Sequence, residues 1–377
     1  MSVAAPASLP LPAAVTFGGG CAAAAVRSLA RAGRNRVFVV ASPSVLRAAN
    51  ALAGALGSAG TTVRIETGVP PEPTAACCEQ LRARAAVFRP DLVLAVGGGS
   101  VLDVAKLVAA LHDRPEPVTA FYGINVLSGR RTALACVPTT AGTGSEVSPN
   151  ALLYDESAAA KKAVISPALV PDAAIVDPEL MVSLPPALTA TTGLDALAHC
   201  LEAYANRAAK PEIDPYALEG VRLIGAHLPT AVGNGADLVA RNAVALGSLY
   251  GGMGLGPVNT NGVHALAYPL GGEFHMAHGL SIALLLPHIV RFNLSALPER
   301  HAALAAALGG ASAADLPGLL ERLIARCGVK AGLSAHGIPG AAFPRMADSA
   351  LQITRLLKNN PREITRPDAL AIYAAAF

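Results

Sequence analysis

The sequence is poor in charge and has no tryptophan: only 15% of its 377 residues are charged, and the formal net charge is +3. Its lysines and arginines are scattered along the chain rather than gathered into tracts. Binding to a nucleic acid or an anionic membrane surface requires a concentrated basic patch, so neither partner is expected.

Two further absences narrow the class of protein. The six cysteines include no CxxC pair, so neither a zinc ribbon nor a disulfide framework is expected. The first 26 residues contain no lysine or arginine, so they lack the positive segment of a secretory signal. We therefore expect a cytoplasmic protein.

Charged residues are also missing between Arg241 and Glu273, which raises the alternative of a membrane span. The segment GGMGLGPVNTNG interrupts this stretch, and His264 lies within it. We predict a buried helix-loop-helix here rather than a span.

The first half of the chain alternates short apolar runs with Ala-rich helical patterns. The runs are RVFVVAS at 36–42, TVRIE at 62–66 and DLVLAVGGGS at 91–100. Continuous apolar strands are typical of a parallel sheet covered by helices on both faces. From about Leu184 onward the apolar spacing becomes three to four residues, which indicates helices. We predict an α/β domain at 1–183 and an all-helical domain at 184–377.

Two glycine-rich turns follow predicted strands. In the first, GGGS at 97–100, backbone N–H groups at a helix start suit a pyrophosphate. The alternative is a plain strand-to-helix turn in which Ser100 caps the helix and Asp103 lies in its first turn. No GxGxxG follows the first strand, so the ordinary dinucleotide fingerprint is absent. The second turn, CVPTTAGTGSEVSPN at 136–150, offers glycines and hydroxyl groups that suit close contact with a nucleotide.

A third pattern combines aspartate and histidine in an apolar setting. Asp195 and His199 are four residues apart within GLDALAHCLEAY, so one helical face carries both. Any single histidine here is more simply a buried core residue. One aspartate with three histidines, however, suits a divalent transition metal that keeps positions open for water or substrate. The downstream candidates are His264, His275, His278 and His288.

With these motifs the chain resembles the iron-containing, or group III, alcohol dehydrogenases. The resemblance covers nearly the whole chain through VTFGGG, GGGSVLDVAK, CVPTTAGTGSEV, VDPELMVSLPP, GLDALAHCLEAY, HALAYPLGGEFHMAHG and KNNPREITRPDALAIY, in this order. It implies a dehydroquinate synthase-like architecture, with an α/β N-terminal dinucleotide-binding domain built on a parallel sheet and an all-α C-terminal domain. It also implies a homodimer formed through the N-terminal segment.

The resemblance implies a set of site residues as well. By motif, the metal ligands fall on Asp195, His199, His264 and His278, with Fe(II) as the usual metal and zinc as the alternative. The contacts with NAD or NADP fall on Ser42, Gly97, Gly98, Gly99, Ser100, Asp103, Thr139, Thr140, Thr143 and Lys162. For the last of these, Lys161 is the alternative.

The chain departs from the family pattern at three places. Ser42 stands where many NAD-preferring members have an aspartate that would repel a 2′-phosphate, so the choice between NAD and NADP stays open. Tyr268 stands where the family often has a histidine, and a tyrosine is a poor proton acceptor at neutral pH. His275 is then the candidate proton relay, with support of the metal site as an equal alternative. Glu72 stands where an asparagine often lies near the adenine.

The resemblance implies an enzyme that interconverts a small primary alcohol and its aldehyde by hydride transfer, with the metal polarising the substrate oxygen. Alternatives with the same fold are a maleylacetate reductase, which usually lacks the complete ligand set, and a hydroxyacid-oxoacid transhydrogenase. A non-catalytic nucleotide-binding descendant is a third alternative, which the loss of a ligand would have favoured.

Overall fold

The computed structural model describes residues 8–157 and 160–377. The chain divides into two compact units. The first runs to Thr140 and resumes over Ser145–Met181, and the second comprises Ala141–Gly144 and Val182–Phe377. The sequence assigned 141–144 to the first domain, whereas the structure places this segment in the second unit. The domain boundary at 183/184 stays a prediction.

The first unit is built on a six-stranded sheet in which all pairs of neighbouring strands are parallel. Its strands are β1 (Ala14–Phe17), β2 (Arg36–Ala41), β3 (Thr62–Glu66), β4 (Leu92–Gly97), β6 (Ala133–Pro138) and β9 (Ala173–Val176). Across the sheet they lie in the order β1-β9-β6-β4-β2-β3. A second, three-stranded sheet contains β5 (Gly123–Ile124) and the antiparallel hairpin of β7 (Asn150–Asp155) and β8 (Ala160–Ile165).

Both faces of this sheet are buried, as the continuous apolar runs predict. Along β2, Phe38 and Val40 belong to one core cluster, and Val37 and Val39 to the other. This alternation follows from the two-residue period of a strand, since neighbouring side chains point to opposite faces. The helices of this unit are α1 (Ala22–Arg31), α2 (Leu46–Gly57), α3 (Ala75–Phe88) and α4 (Gly99–Leu111). The predicted α/β class with a parallel sheet is confirmed.

The second unit is helical over its described residues, which also confirms the sequence prediction. Its first helix, α5 (Pro186–Tyr204), begins at the predicted proline pair. The charge-free stretch forms α7 (Leu238–Leu255), a loop, and α8 (Gly262–Phe274). In the described part of the chain, no helix has both the length and the apolar character needed to cross a bilayer. The remaining helices are α6 (Asp214–Gly233), α9 (His278–Asn293), α10 (Pro298–Ala307), α11 (Leu316–Arg326), α12 (Phe343–Leu351), α13 (Thr354–Leu357) and α14 (Arg366–Ala375).

Candidate functional site

The glycine turn of the first unit lies where the strand order of the large sheet reverses. From β2 the chain proceeds to β3 on one side and then to β4 on the other, so the carboxyl ends of β2 and β4 flank a switch point. Ligands of open α/β sheets bind in the crevice at such a point. Ser42 directly follows β2, and Gly97 ends β4, so the structure brings two of the predicted cofactor residues to the same edge.

The turn leaves no room for a side chain at Gly97 and little at Gly98. A Cβ atom at Gly97 would lie 2.7 Å from the side chain of Val101, and one at Gly98 would lie 3.2 Å from the methyl group of Thr140. Gly98 is the N-cap of α4, and Gly99 is its first residue, so the unpaired N–H groups of this helix start lie in the turn. This arrangement suits an anion such as a pyrophosphate.

The structure contradicts the alternative in which Ser100 caps α4 and Asp103 lies in its first turn, and the role of both residues as cofactor contacts stays a prediction. Ser100 lies inside α4 rather than capping it, and its hydroxyl donates to the carbonyl of Pro71. Asp103 lies beyond the first turn and is half-buried, and its removal from water raises the pKa of its carboxyl group despite the nearby Lys106. One of its oxygens accepts from the Ser145 hydroxyl at 2.6 Å, and the other from the backbone N–H of Leu152 at 2.9 Å. The carboxylate therefore anchors the second turn and the β7–β8 hairpin.

The residues of the hydroxyl-rich turn are divided between the two units. Thr139 follows β6, and its N–H donates to the carbonyl of Gly97 at 2.9 Å; Thr140 packs on Gly98. Thr143 belongs to the segment that forms part of the helical unit. There, a Cβ atom at Gly144 would lie 2.2 Å from Cα of Gly252, so α7 passes directly against this backbone.

Of the two candidate lysines, Lys161 is the one near the glycine turn. It forms an ion pair with Glu72 at 3.1 Å, and its charge offsets a small part of the rise in the pKa of Asp103. Lys162 is its neighbour in β8, so its exposed side chain points to the opposite face of the hairpin. Lys162 as the cofactor contact, with Lys161 as the alternative, stays a prediction.

Three helices of the second unit bring the predicted metal ligands together. Helix α5 carries Asp195 and His199, α8 carries His264, and α9 begins at His278. Oδ1 of Asp195 lies 3.7 Å from Nε2 of His199, 3.5 Å from Nε2 of His264 and 3.6 Å from Nε2 of His278. Three imidazole nitrogens therefore surround one carboxylate oxygen.

This spacing fits a metal site. Zinc and similar ions bind nitrogen and oxygen at about 2.1 Å, so tetrahedral ligand atoms are about 3.4 Å apart. Asp195, His199 and His264 are all buried, with ligand atoms within 4.8 Å of one another. Among the described residues, Oδ1 of Asp195 and Nε2 of His264 are buried without a hydrogen-bond partner, a costly arrangement that a shared cation would relieve.

The electrostatics of the cluster favour a negative aspartate among its histidines. Burial alone would raise the pKa of Asp195, but His199 and His278 hold it below its usual range. Burial lowers the pKa of His199 despite the neighbouring Asp195. His264 is also buried, yet Glu202 and Asp195 raise its pKa to about 9. One edge of the cluster remains open, since the side chain of His278 is 34% exposed.

The two predicted catalytic residues differ in their surroundings. Tyr268 lies one turn beyond His264 on α8, and burial raises the pKa of its hydroxyl group. His275 ends α8 in the left-handed region, with φ 52°, and its side chain is exposed. Its backbone turn separates α8 from α9 and thereby places His278 at the start of the next helix.

Sequence reasoning overlooked two groups at the cluster. The carbonyl of Gly142 lies 3.2 Å from Nδ1 of His199. The carboxylate of Glu202 accepts a hydrogen bond from Nδ1 of His264. Spacing alone could have indicated Glu202, because it lies seven residues after Asp195 on the same helix and therefore on the same face.

Comparisons with known proteins point to one family over nearly the whole chain. Residues 12–178 match the family model described as iron-containing alcohol dehydrogenase, and residues 189–377 match that of the C-terminal part of the same family. Long-chain-alcohol dehydrogenase 1 of Geobacillus thermodenitrificans is 38% identical over 365 residues, covering 93% of this chain and 92% of that protein.

Two solved structures are similar over nearly their full lengths. That of a 1,3-propanediol oxidoreductase has a TM-score of 0.95 and 32% identity, covering 99% of this chain and 100% of the other. That of sulfoacetaldehyde reductase from Bifidobacterium kashiwanohense in complex with NAD+ has a TM-score of 0.91 and 26% identity, covering 100% and 99%. The chain therefore belongs to the iron-containing alcohol dehydrogenase family.

Proposed function

We propose that this protein is a metal-dependent, NAD(P)-linked oxidoreductase that interconverts a small primary alcohol and its aldehyde. The observation that carries the proposal is the cluster in which one oxygen of Asp195 faces three histidine nitrogens at 3.5–3.7 Å. The related proteins named above act on alcohols or on aldehydes, as their names state.

Asp195, His199, His264 and His278 would hold the ion, iron(II) in this family or zinc in its place. A bound ion would supply a Lewis acid for the substrate oxygen, and the nicotinamide would exchange the hydride. The buried aspartate would supply one negative charge, and the partly exposed edge at His278 would leave the substrate a way in. The complete ligand set disfavours a maleylacetate reductase.

The cofactor would bind at the switch point of the large sheet. Gly97, Gly98 and Gly99 would hold the pyrophosphate through backbone N–H groups, because no side chain obstructs the start of α4. Ser42 would lie beside the adenosine ribose, where it offers a hydroxyl group and no negative charge, so we expect both NADH and NADPH to be accepted.

Tyr268 and His275 would have different roles in proton handling. Tyr268 remains protonated at neutral pH because burial raises its pKa, so it would donate a hydrogen bond to substrate rather than accept a proton. His275, which is exposed, would exchange protons with water.

The protein would act as a homodimer. Strand β1 lies at the edge of the large sheet, and Ala14, Val15 and Thr16 are exposed. An exposed edge strand presents unpaired backbone groups that a second copy can cover. Light scattering should give twice the mass of the chain.

We place the enzyme in the cytoplasm, where free nicotinamide cofactors are recycled, and cell fractionation tests this location.

The deciding experiment follows NADH and NADPH oxidation by iron(II)-loaded protein, kept anaerobic, with short aldehydes and with maleylacetate. Each assay is repeated after removal of the metal by a chelator. Aldehyde reduction that chelation abolishes and iron(II) restores supports the proposal. Reduction of maleylacetate alone, unaffected by chelation, would assign the protein to the reductases. Turnover of a hydroxyacid with an oxoacid without free cofactor would assign it to the transhydrogenases.

A further inference from the structure

A second buried carboxylate stands beside the Asp-His cluster. Glu202 lies on α5, seven residues after Asp195 and three after His199, so the three side chains share one face of the helix. Only 3% of Glu202 is exposed. A buried carboxylate away from water requires partners, and those of Glu202 come from the start of α8.

Both oxygens of Glu202 are used. Oε1 accepts the backbone N–H of Val263 at 2.7 Å, and Oε2 accepts the Nδ1 proton of His264. The N–H of Val263 belongs to the first turn of α8, where helix N–H groups have no partner within the helix and a negative charge is favoured. One carboxylate therefore caps α8 and fixes the ring of His264.

The backbone of Glu202 is held as firmly as its side chain. Its carbonyl accepts from the side-chain amide of Asn206 at 2.9 Å and from that of Asn261 at 3.1 Å. Asn261 is also the N-cap of α8. The start of α8 is thus joined to α5 by two neighbouring contacts, which leaves the His264 ring little freedom to rotate.

We propose that Glu202 is a positioning residue for the metal, acting through His264. A carboxylate at Nδ1 keeps a proton on that nitrogen and leaves Nε2, which lies 3.5 Å from Asp195, as the ring nitrogen that would bind the ion. This inference rests on the proposed function, because it assumes that the cluster binds a metal. It assigns one face of α5 two tasks: Asp195 and His199 bind the ion, and Glu202 orients a third ligand from another helix.

Glu202→Gln leaves one acceptor oxygen where two are needed. The glutamine oxygen can accept from Val263 or from Nδ1 of His264, and its NH2 group, which is a donor, then opposes the other N–H. In either orientation of the amide the joint hold on the start of α8 and on the His264 ring is lost, so Nε2 is no longer held towards the ion. Glu202→Asp keeps the charge and draws the carboxylate back by one methylene group, so it provides a milder variant should Glu202→Gln not fold.

Asp237→Ala is the matched control. Asp237 caps α7 by accepting from the N–H of Ala240 at 2.9 Å, and it lies outside the cluster. Its loss should reduce stability as the loss of a helix cap does, without affecting metal binding. Circular dichroism of each metal-free variant establishes that it is folded.

The measurement is the dissociation constant for Zn²⁺, from competition with a chromophoric chelator, together with the visible absorption spectrum of the Co²⁺-loaded protein. We expect Glu202→Gln to weaken Zn²⁺ binding by about 10- to 100-fold and to alter the Co²⁺ spectrum. Glu202→Asp should weaken binding less, by about 3- to 10-fold. Asp237→Ala should match the wild type in both readouts.

The results distinguish this inference from the proposed function. If the wild type binds Zn²⁺ tightly and a folded Glu202 variant binds it equally well with an unchanged Co²⁺ spectrum, Glu202 is only a helix cap and the inference is wrong. If the wild type itself shows no affinity for Zn²⁺ or Co²⁺, the metal site fails, and the proposed function and the inference fall together.

Discussion

Glu146 offers a quantitative test of the buried charges in the α/β unit. It lies in a 3-10 turn, Ser145–Val147, and is only 3% exposed. Burial raises the pKa of its carboxyl group to about 7, against a backbone hydrogen bond and the ammonium group of Lys106. Lys106 is itself fully buried, and its Nζ donates to the carbonyls of Ser148 and Asn150, both at 2.9 Å.

The pKa of Glu146 in the unfolded chain and its pKa in the folded protein determine the size and the sign of the pH effect on stability. The unfolded chain releases this proton near the ordinary value of 4.5, whereas the folded protein holds it up to about pH 7. Over that interval each pH unit lowers the free energy of unfolding by about 1.4 kcal/mol. The stability contributed by the neutral carboxyl group is complete below about pH 4.5 and is lost as the pH rises through 7, about 3 kcal/mol in all.

Glu146→Gln removes this dependence, because glutamine is neutral at every pH. We would measure denaturant unfolding of the wild type and the variant by circular dichroism at about pH 5 and pH 8. Relative to the wild type, the variant should gain about 2 to 3 kcal/mol between the two conditions. Glu116→Gln, at an exposed position in the same unit, should show no such gain. An equal stability difference for Glu146→Gln at both pH values would refute the reasoning.

Three further predictions test the backbone, the proton donor and the cofactor. Gly144 has φ +59° and lies against Gly252, so Gly144→Ala should lower the free energy of unfolding, measured by chemical denaturation, by more than about 3 kcal/mol. Gly33 has φ +87° but open space around it, so Gly33→Ala should lower that free energy by only about 1 kcal/mol. Equal losses in the two variants would contradict this account. Tyr268→Phe should lower kcat by less than about 100-fold and leave the pH profile unchanged between pH 6 and 9, since burial keeps the hydroxyl protonated; a new ionisation in that range would show that the tyrosine acts as a base. In steady-state assays, Ser42→Asp should lower kcat/KM for NADPH at least about 10-fold relative to kcat/KM for NADH, because a carboxylate repels the 2′-phosphate. If the ratio of the two kcat/KM values does not change, the adenosine ribose does not lie beside residue 42.

The predictable part of the fold is the part with local signals. The runs at 36–42, 62–66 and 91–100 contain β2, β3 and β4, because a strand buried on both faces must be apolar throughout. The strands β1 and β9 are only four residues long, and they pair Ala14 with Ala173 across most of the unit. The β7–β8 hairpin contains lysines and a tyrosine and has no alternating apolar pattern. Pairing of this kind depends on tertiary contacts that no short stretch of sequence specifies.

The site shows the same division between local and tertiary information. The four-residue spacing of Asp195 and His199 follows from helix geometry alone. The approach of His264 and His278 depends on how α8 and α9 pack on α5, which the resemblance implied and the geometry displays. The motif predicts Ser100 and Asp103 as cofactor contacts from their position alone. Their hydrogen bonds to Pro71, Ser145 and Leu152 are long-range and could not be read from that motif.

Helix α5 carries two buried carboxylates that differ in their hydrogen bonds. Asp195 has an oxygen with no hydrogen-bond partner among the described residues and three histidine nitrogens at similar distances, whereas Glu202 has both oxygens engaged by α8. A buried anion without a hydrogen-bond partner is costly, and a cation held among the imidazoles would relieve that cost, whereas a satisfied carboxylate needs no further ligand. The hydrogen bonds therefore distinguish the carboxylate that would bind a metal from the one that would orient a ligand.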